Sequence, residues 1–359
     1  MYKIIKFNDE EQYINDFLAL PTLIYDKNNI TQNIKDEKKI LLNTHSLSKY
    51  FKTLKYLCYD SKDKVIARAI VTLYPDKNEA YIGFFEAFDN KEAVKELLKK
   101  IENELEENSI DRIVGPIDSS FWIKYRLKID NFNEELYIGE PYNEEYYYNL
   151  FIDNGYSLYK TWTSNIYEIK DKNYEPEKYK ERYNQFTKKG YKIVSPRTKK
   201  EFEDSFKIAY KLIMELYKDF PIFKNISEDD YYKYFSFYRV ISNYRFLKIA
   251  YYDDEPVGFF IGIPNYKNLL YGKMSFILKL KIMFLRKYSK SFVAQYIGVK
   301  KEHRGLGKAI IYTVLQEAKK CKGKIIGALI EEDKETEKYF DDAVTNKYHY
   351  VLLEKKLGD

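Results

Sequence analysis

The chain is short of the residues that carry most metal and redox chemistry: its 359 residues include only 2 Cys, 3 His and 2 Trp. Cys58 and Cys321 lie far apart in sequence, which excludes a disulfide framework and a cysteine-rich metal site. His45, His303 and His349 show no paired ligand spacing, so no zinc or other metal centre is expected. No apolar run approaches the length needed to span a bilayer, and Met1-Tyr2-Lys3-Ile4-Ile5-Lys6 lacks the apolar core of a signal peptide. A cytoplasmic location is the expectation that fits these absences.

A strong charge of one sign is also missing. The 61 basic and 55 acidic side chains leave a net +6, too weak a field to point to nucleic acid. What is present is ordinary for a folded protein, with 45% apolar and 32% charged residues. Aromatic residues reach 18%, with 38 Tyr and 23 Phe, so a tyrosine in a motif position carries little weight by itself. The length exceeds what one hydrophobic core usually serves, which predicts two domains.

Both halves show the same order of elements. In the first, Tyr56 to Tyr59 and Val65 to Leu73 flank the polar turn Asp60-Ser61-Lys62-Asp63, a hairpin pattern, and a further strand follows at Ala80 to Phe85. Ala93, Val94, Leu97, Leu98, Ile101 and Leu105 then recur at helical spacing between Asn90 and Glu107, with Asp89 or Asn90 as cap. A short strand at Arg112 to Val114, a helix at about Glu144 to Asp153 and closing strands over Tyr156 to Ile169 complete this half. The second half repeats the plan. A strand at Tyr191 to Val194 leads to helices at Phe202 to Tyr217 and after Ser227, and then to strands at Phe246 to Tyr252, Val257 to Ile263 and Phe292 to Val299. A helix over Lys308 to Lys320 follows. These patterns predict domains at 1–168 and 191–359, joined by a linker or connecting helix at 169–190.

The segment that carries chemistry is Ile297-Gly298-Val299-Lys300-Lys301-Glu302-His303-Arg304-Gly305-Leu306-Gly307-Lys308-Ala309, a strand, a glycine bend and the start of a helix. Glycines at 305 and 307 let successive backbone N–H groups converge on phosphate oxygens, and the helix adds its positive dipole end. In this position the chain resembles the GNAT superfamily, whose signature is Arg or Gln, two residues, Gly, one residue, then Gly or Ala. Arg304, Gly307 and Ala309 fill those places, while the proline common two residues after the strand is Lys301. A wider similarity to bacterial tandem GNAT-like proteins rests on Gly83-Phe84-Phe85-Glu86, Gly115-Pro116 and Pro141-Tyr142-Asn143 in the first half. In the second half it rests on Gly258-Phe259-Phe260, Pro264-Asn265 and Glu332-Asp333.

The resemblance implies an α+β fold with two GNAT-like domains, each a mixed, mostly antiparallel twisted sheet flanked by helices. It implies acetyl-CoA or another acyl-CoA as cofactor, with pantetheine along Ile297, Gly298 and Val299 and the pyrophosphate on the amides of Arg304, Gly305, Leu306, Gly307, Lys308 and Ala309. The activity it implies is N-acyl transfer to a primary amine on a small molecule or peptide, by direct attack in a ternary complex. Tyr339, in a helix expected after the fifth strand, stands where many GNAT enzymes carry an acid, and Glu331 and Glu332 are candidate bases. The first half has Phe85-Glu86-Ala87-Phe88-Asp89-Asn90 where the glycine signature would stand, and is expected to bind no cofactor.

Two other readings remain open at this stage: a non-catalytic acyl-CoA sensor or membrane-associated adaptor, and a tandem-GNAT transferase fed by aminoacyl-tRNA. One further segment is polarised. From Tyr266 to Lys290 there is no acidic residue, and Lys267, Lys273, Lys279, Lys281, Arg286, Lys287 and Lys290 alternate with Met274, Phe276, Ile277, Leu278, Ile282, Met283 and Phe284. A lid over the ribose phosphate of coenzyme A, a subsite for an acidic acceptor and an interfacial helix on anionic lipid all fit this composition.

Overall fold

Two short-range patterns, alternation in the strands and a three-to-four repeat in the helices, account for most elements of the computed structural model, which describes residues 2–75, 77–169, 171, 173–321 and 323–358. The chain forms two units. The first comprises Met1–Trp162, Lys267–Lys273 and Tyr348–Asp359; the second comprises Thr163–Tyr266 and Met274–Lys347. Two short segments thus return to the first unit, one from the start of the basic stretch and one from the chain's end.

The first unit begins with β1 (Lys3–Phe7), α1 (Glu11–Ile24) and α2 (Ile34–Leu41). It continues with the meander β2 (Lys52–Tyr59), β3 (Val65–Leu73) and β4 (Glu79–Ala87). The β2–β3 turn is held by Asp60, whose carboxylate accepts the N–H groups of Lys62 and Lys64 at 2.8 and 2.9 Å. Helix α3 (Lys91–Glu107) starts where the pattern predicts, and the Asn90 side chain caps it by accepting the Ala93 N–H. Its apolar stripe is fully buried, the Val, Leu and Ile side chains each contributing on the order of 1.5–3 kcal/mol. Next come β5 (Arg112–Gly115), the two-residue β6 (Leu127–Lys128), α4 (Tyr147–Ile152) and β7 (Ser157–Glu168). Helix α4 is shorter than its pattern suggests, and one long strand replaces the expected closing strands.

The second unit takes over the chain from Thr163, within β7, and its first helix is α5 (Glu177–Lys188), inside the expected connection, with Tyr179 and Phe186 buried. Lys170 and Lys172 of that stretch lie outside the described residues. Then follow β8 (Lys192–Val194), α6 (Lys199–Leu216), α7 (Glu228–Tyr234), α8 (Tyr238–Ile241), β9 (Leu247–Tyr252) and β10 (Glu255–Pro264). Ser227 caps α7 as its sequence suggests, by accepting the Asp230 N–H. The unit is completed by α9 (Phe276–Tyr288), β11 (Ser291–Val299), α10 (Leu306–Cys321), β12 (Lys324–Glu331) and the first part of β13 (Val344–Lys356).

Each unit builds a mixed sheet. In the first, β1 to β4 pair antiparallel in sequence order, β4 pairs parallel with β5, and β5 pairs antiparallel with the end of β13. In the second, β8 to β11 pair antiparallel in order, and β11 pairs parallel with β12. The cores lie between sheet and helices: α3 and α4 cover the first sheet, and α10 with α5 covers one face of the second.

Candidate functional site

The site of the second unit is built where β11 and β12 part. Their parallel pairing runs from Ser291↔Lys324 to Ala294↔Gly327 and extends no further among the described residues. Strand β11 continues to Val299 and, among the described strands, pairs there with β10 alone, Gly258 standing opposite Val299 and Phe260 opposite Ile297. Beyond Gly327 the backbone of β12 turns aside: Leu329 has φ +55°, and its N–H goes to the Ser164 hydroxyl on β7 at 2.9 Å. A wedge therefore opens along Gln295 to Val299. Gln295 is the first residue past the last pair, and its side-chain carbonyl oxygen is buried with no hydrogen-bond partner among the described residues. A buried acceptor left open costs about 1–3 kcal/mol.

At the wide end of the wedge the chain makes a 3-10 turn at Lys301–His303 and reaches Gly305, whose φ of +96° is the left-handed conformation that glycine tolerates. Helix α10 starts at once, at Leu306, two residues earlier than its pattern suggests. The first turn of a helix carries N–H groups without intrahelical partners, and here they follow an exposed Arg304 and a half-buried Gly305. The bend is fixed from below by Leu306, Ala309 and Ile310, all buried in the unit's core. From the side, the Tyr191 hydroxyl meets His303 Nδ1 at 2.7 Å.

The predicted residues fall into two groups. Ile297, Gly298, Val299, Arg304, Gly305 and Lys308 stay at least partly accessible along the wedge and the bend, whereas Leu306, Gly307 and Ala309 are buried beneath it. Tyr339 stands over it: a Cβ on Gly307 would lie 2.8 Å from the Tyr339 hydroxyl, so that hydroxyl occupies the space a side chain would need. Tyr339 does not lie in a helix as expected. It follows a single 3-10 turn, Glu335–Lys338, in extended conformation. Asp333 at φ +66° and Phe340 at φ +54° bend the chain on both sides of this turn, leaving no room for a longer helix. Glu331 ends β12 and Glu332 follows it; both are half-buried, and the Lys334 ammonium lies 4.0 Å from Glu331.

Two residues that sequence patterns did not single out complete the site. Glu335 accepts from the Lys308 ammonium at 2.5 Å, and this bond, reinforced by the charges of Lys308 and Arg304, holds its carboxyl below the usual range. Tyr217, the C-cap of α6, donates its hydroxyl to the Ile297 carbonyl at 3.1 Å and packs edge-on against Tyr296. Burial and the nearby Glu335 carboxylate push the Tyr339 phenol up, so it stays protonated at neutral pH.

The first unit treats the same place differently. Its parallel pair β4–β5 runs only from Glu79↔Arg112 to Tyr81↔Val114, but Ile117 then donates its N–H to the Ile82 carbonyl at 2.7 Å and closes the gap. Beside this stitch lies a narrow cavity lined by Glu86, Asp118, Lys124 and Arg126 together with apolar and aromatic groups such as Phe85 and Leu127. Glu86 accepts from Tyr25 at 2.5 Å and Tyr147 at 2.9 Å, and Asp118 accepts the Phe84 N–H at 2.5 Å.

No family model matches the chain, and no curated protein matches it. Solved structures do, over its whole length, and they give the chain the tandem GNAT fold. One is a tandem GNAT protein from the clavulanic acid biosynthesis pathway, solved without AcCoA, with a TM-score of 0.54 and 10% identity over 100% of this chain and 99% of that one. Another is the GCN5-related glucosamine N-acetyltransferase region of a fungal multi-domain β-N-acetylglucosaminidase, with a TM-score of 0.54 and 14% identity over 99% of this chain and 38% of that one. A third is a conserved protein of unknown function from Enterococcus faecalis, described as a probable N-acyltransferase, with a TM-score of 0.51 and 9% identity over 99% of this chain and 73% of that one. Among the described residues no helix is long and apolar enough to cross a membrane.

Proposed function

We propose that the second unit binds an acyl-CoA, acetyl-CoA in the simplest case, and transfers its acyl group to a primary amine. The observation that carries this reading is the coincidence of an opened strand pair, a buried acceptor at its apex and a left-handed glycine bend before a helix at its mouth. That combination suits a long ligand with amides along its arm and a diphosphate at its end. The donors at the start of α10, with Arg304 beside them, are the groups that would hold the diphosphate. Backbone groups of β11 and the Gln295 carbonyl would hold the amide-bearing arm. Bound there, acyl-CoA supplies a thioester whose carbonyl accepts an amine nitrogen and whose sulfur leaves.

The chain's own residues have three tasks. The wedge holds the two reactants together, which removes much of the entropic cost of their meeting. The Tyr339 phenol, kept neutral by burial, donates a hydrogen bond toward charge that develops on a leaving group. A carboxylate, Glu331 or Glu332, accepts the proton that an ammonium must lose before it attacks, directly or through water. Glu335 is less suited to that task, because its bond to Lys308 lowers its basicity.

Thermal unfolding with and without acetyl-CoA, followed by thiol release against a panel of amines, tests the proposal. Stabilisation by acetyl-CoA is expected, and Gly307→Glu should abolish it by driving a carboxylate into the bend and displacing Tyr339. Stabilisation that persists in Gly307→Glu would place the ligand elsewhere. Stabilisation without thiol release on any amine would make the unit a binding module with no acyl chemistry.

A further inference from the structure

Helix α9 shows solvent the side chains that helices normally hide. Phe276 is 75% exposed, Ile277 77%, Met283 65%, Phe284 61%, Tyr288 55% and Leu280 51%. At about 100° per residue these six fall within one arc of roughly 140°. The opposite side is the one that anchors the helix. Ile282 is its only buried residue, and the Arg286 guanidinium donates to the Ser242 carbonyl at 2.9 Å while lying over the Tyr244 ring. The helix therefore has two apolar faces, one docked on the protein and one turned outward. Lys279 and Lys281 mark the two borders of the outer face, and Lys287 lies within its last turn.

We propose that this outer face seats the protein on an anionic lipid bilayer, with α9 lying in the plane of the interface. The apolar arc would enter the boundary between headgroups and acyl chains, while the bordering lysines extend their stems and place their ammonium groups among lipid phosphates. Charge complementarity selects this occupant. Between Tyr266 and Lys290 there are seven basic residues and no acidic one; Lys279, Lys281 and Lys287 lie on or beside the outer face, whereas Arg286 anchors the docked side and Lys267 pairs with Glu135. A protein partner is disfavoured because protein–protein interfaces are depleted in lysine. The Ser275 side chain caps the helix by accepting the Leu278 N–H at 3.1 Å, so the face is formed before any membrane is met. The inference is independent of acyl transfer, since no residue of the wedge or the bend contributes to it.

Co-sedimentation of the full chain with vesicles provides the test, using phosphatidylcholine alone and phosphatidylcholine containing about one third phosphatidylglycerol. Binding to the anionic vesicles should be at least about tenfold tighter than to the neutral ones and should weaken with added salt. A Phe276→Ser, Ile277→Ser double variant should lose at least about tenfold in binding, because it removes apolar surface from the inserted face. A Lys279→Glu, Lys281→Glu variant should lose a similar factor on anionic vesicles, with both variants unfolding at the wild-type temperature. The proposal is overturned by failure to bind anionic vesicles, by equal binding to neutral ones, or by variants that bind as the wild type does. Self-association without lipid that the Phe276→Ser, Ile277→Ser variant abolishes would also overturn it, assigning the face to a second copy of the chain.

Discussion

The two units share a strand order and differ at one point, the place where the parallel pair at the centre of each sheet separates. In the first unit the gap after Tyr81↔Val114 is stitched by the Ile117–Ile82 hydrogen bond, and Asp118 ties down the Phe84 N–H on the other side. In the second unit the gap after Ala294↔Gly327 stays open and leaves Gln295 with a buried acceptor to offer. The helix starts differ in the same sense. Asn90 satisfies the first turn of α3 with its own side chain, whereas α10 is entered from a left-handed glycine. One copy of the fold has used its splayed strands for internal polar bonds, and in the other the strands stay apart.

Closure of the first wedge depends on Gly83. A Cβ there would stand 1.9 Å from the Ile117 carbonyl oxygen and 2.3 Å from its carbon, both backbone atoms. Gly83→Ala should therefore separate the stitched strands and cost more than about 4 kcal/mol, enough to unfold the first unit. Gly307→Ala meets the end of the Tyr339 side chain, at 2.8 Å, and no backbone atom. We expect little change in unfolding temperature for Gly307→Ala but weaker acetyl-CoA stabilisation. Denaturation curves of equal midpoint for the two variants would break the comparison.

Buried lysines extend it. In the first unit Lys128 is fully buried, 2.7 Å from an equally buried Glu140 that also accepts from Tyr350, and its ammonium lies 4.8 Å from the centre of the Tyr348 ring. Lys128→Met leaves Glu140 charged and unpaired, and should destabilise by about 3–5 kcal/mol. In the second unit Lys248 is 5% exposed, and burial, assisted by the charges of Lys320 and Arg245 and opposed by Glu317, lowers its pKa to about 8. A folded pKa below the unfolded one means that the fold penalises the charged form. Stability should be flat below about pH 8 and rise by up to about 3 kcal/mol as the pH climbs toward about 10.4. Lys248→Met should remove that rise and stabilise the protein at neutral pH. The same substitution thus has opposite signs in the two units, and thermal unfolding against pH reads both.

Much of this architecture is legible in the sequence because it is written in local periods. The stripe on α3, the β2–β3 turn and the glycine bend each need only neighbours within a few residues. The opened wedge is not written that way. Gln295 continues an ordinary strand pattern, and only the turning aside of β12 at Leu329 strips its edge of a partner. The place of Tyr339 was equally hidden, since the left-handed residues Asp333 and Phe340 that shorten its helix are neither Gly nor Asn. The return of Tyr348–Asp359 to the first unit is a long-range pairing with β5, fixed by contacts more than two hundred residues apart.

The smallest predicted effect tests the mouth of the open wedge most directly. Glu335 brings a carboxylate to the start of α10, where an incoming diphosphate needs positive charge, and it occupies the Lys308 ammonium. That ion pair is partly exposed and adds little to stability, so Glu335→Gln should leave the unfolding temperature nearly unchanged. Removing its charge frees Lys308 and ends the repulsion, so acetyl-CoA should bind about threefold tighter at low salt, with the gain fading as salt rises. The low carboxyl pKa keeps the repulsion in place across the neutral range and releases it only below the usual carboxylate range. A titration calorimetry series on wild type and Glu335→Gln separates two outcomes: tighter binding places the diphosphate beside Lys308, and weaker binding would make the carboxylate part of the site's recognition of some other, cationic group.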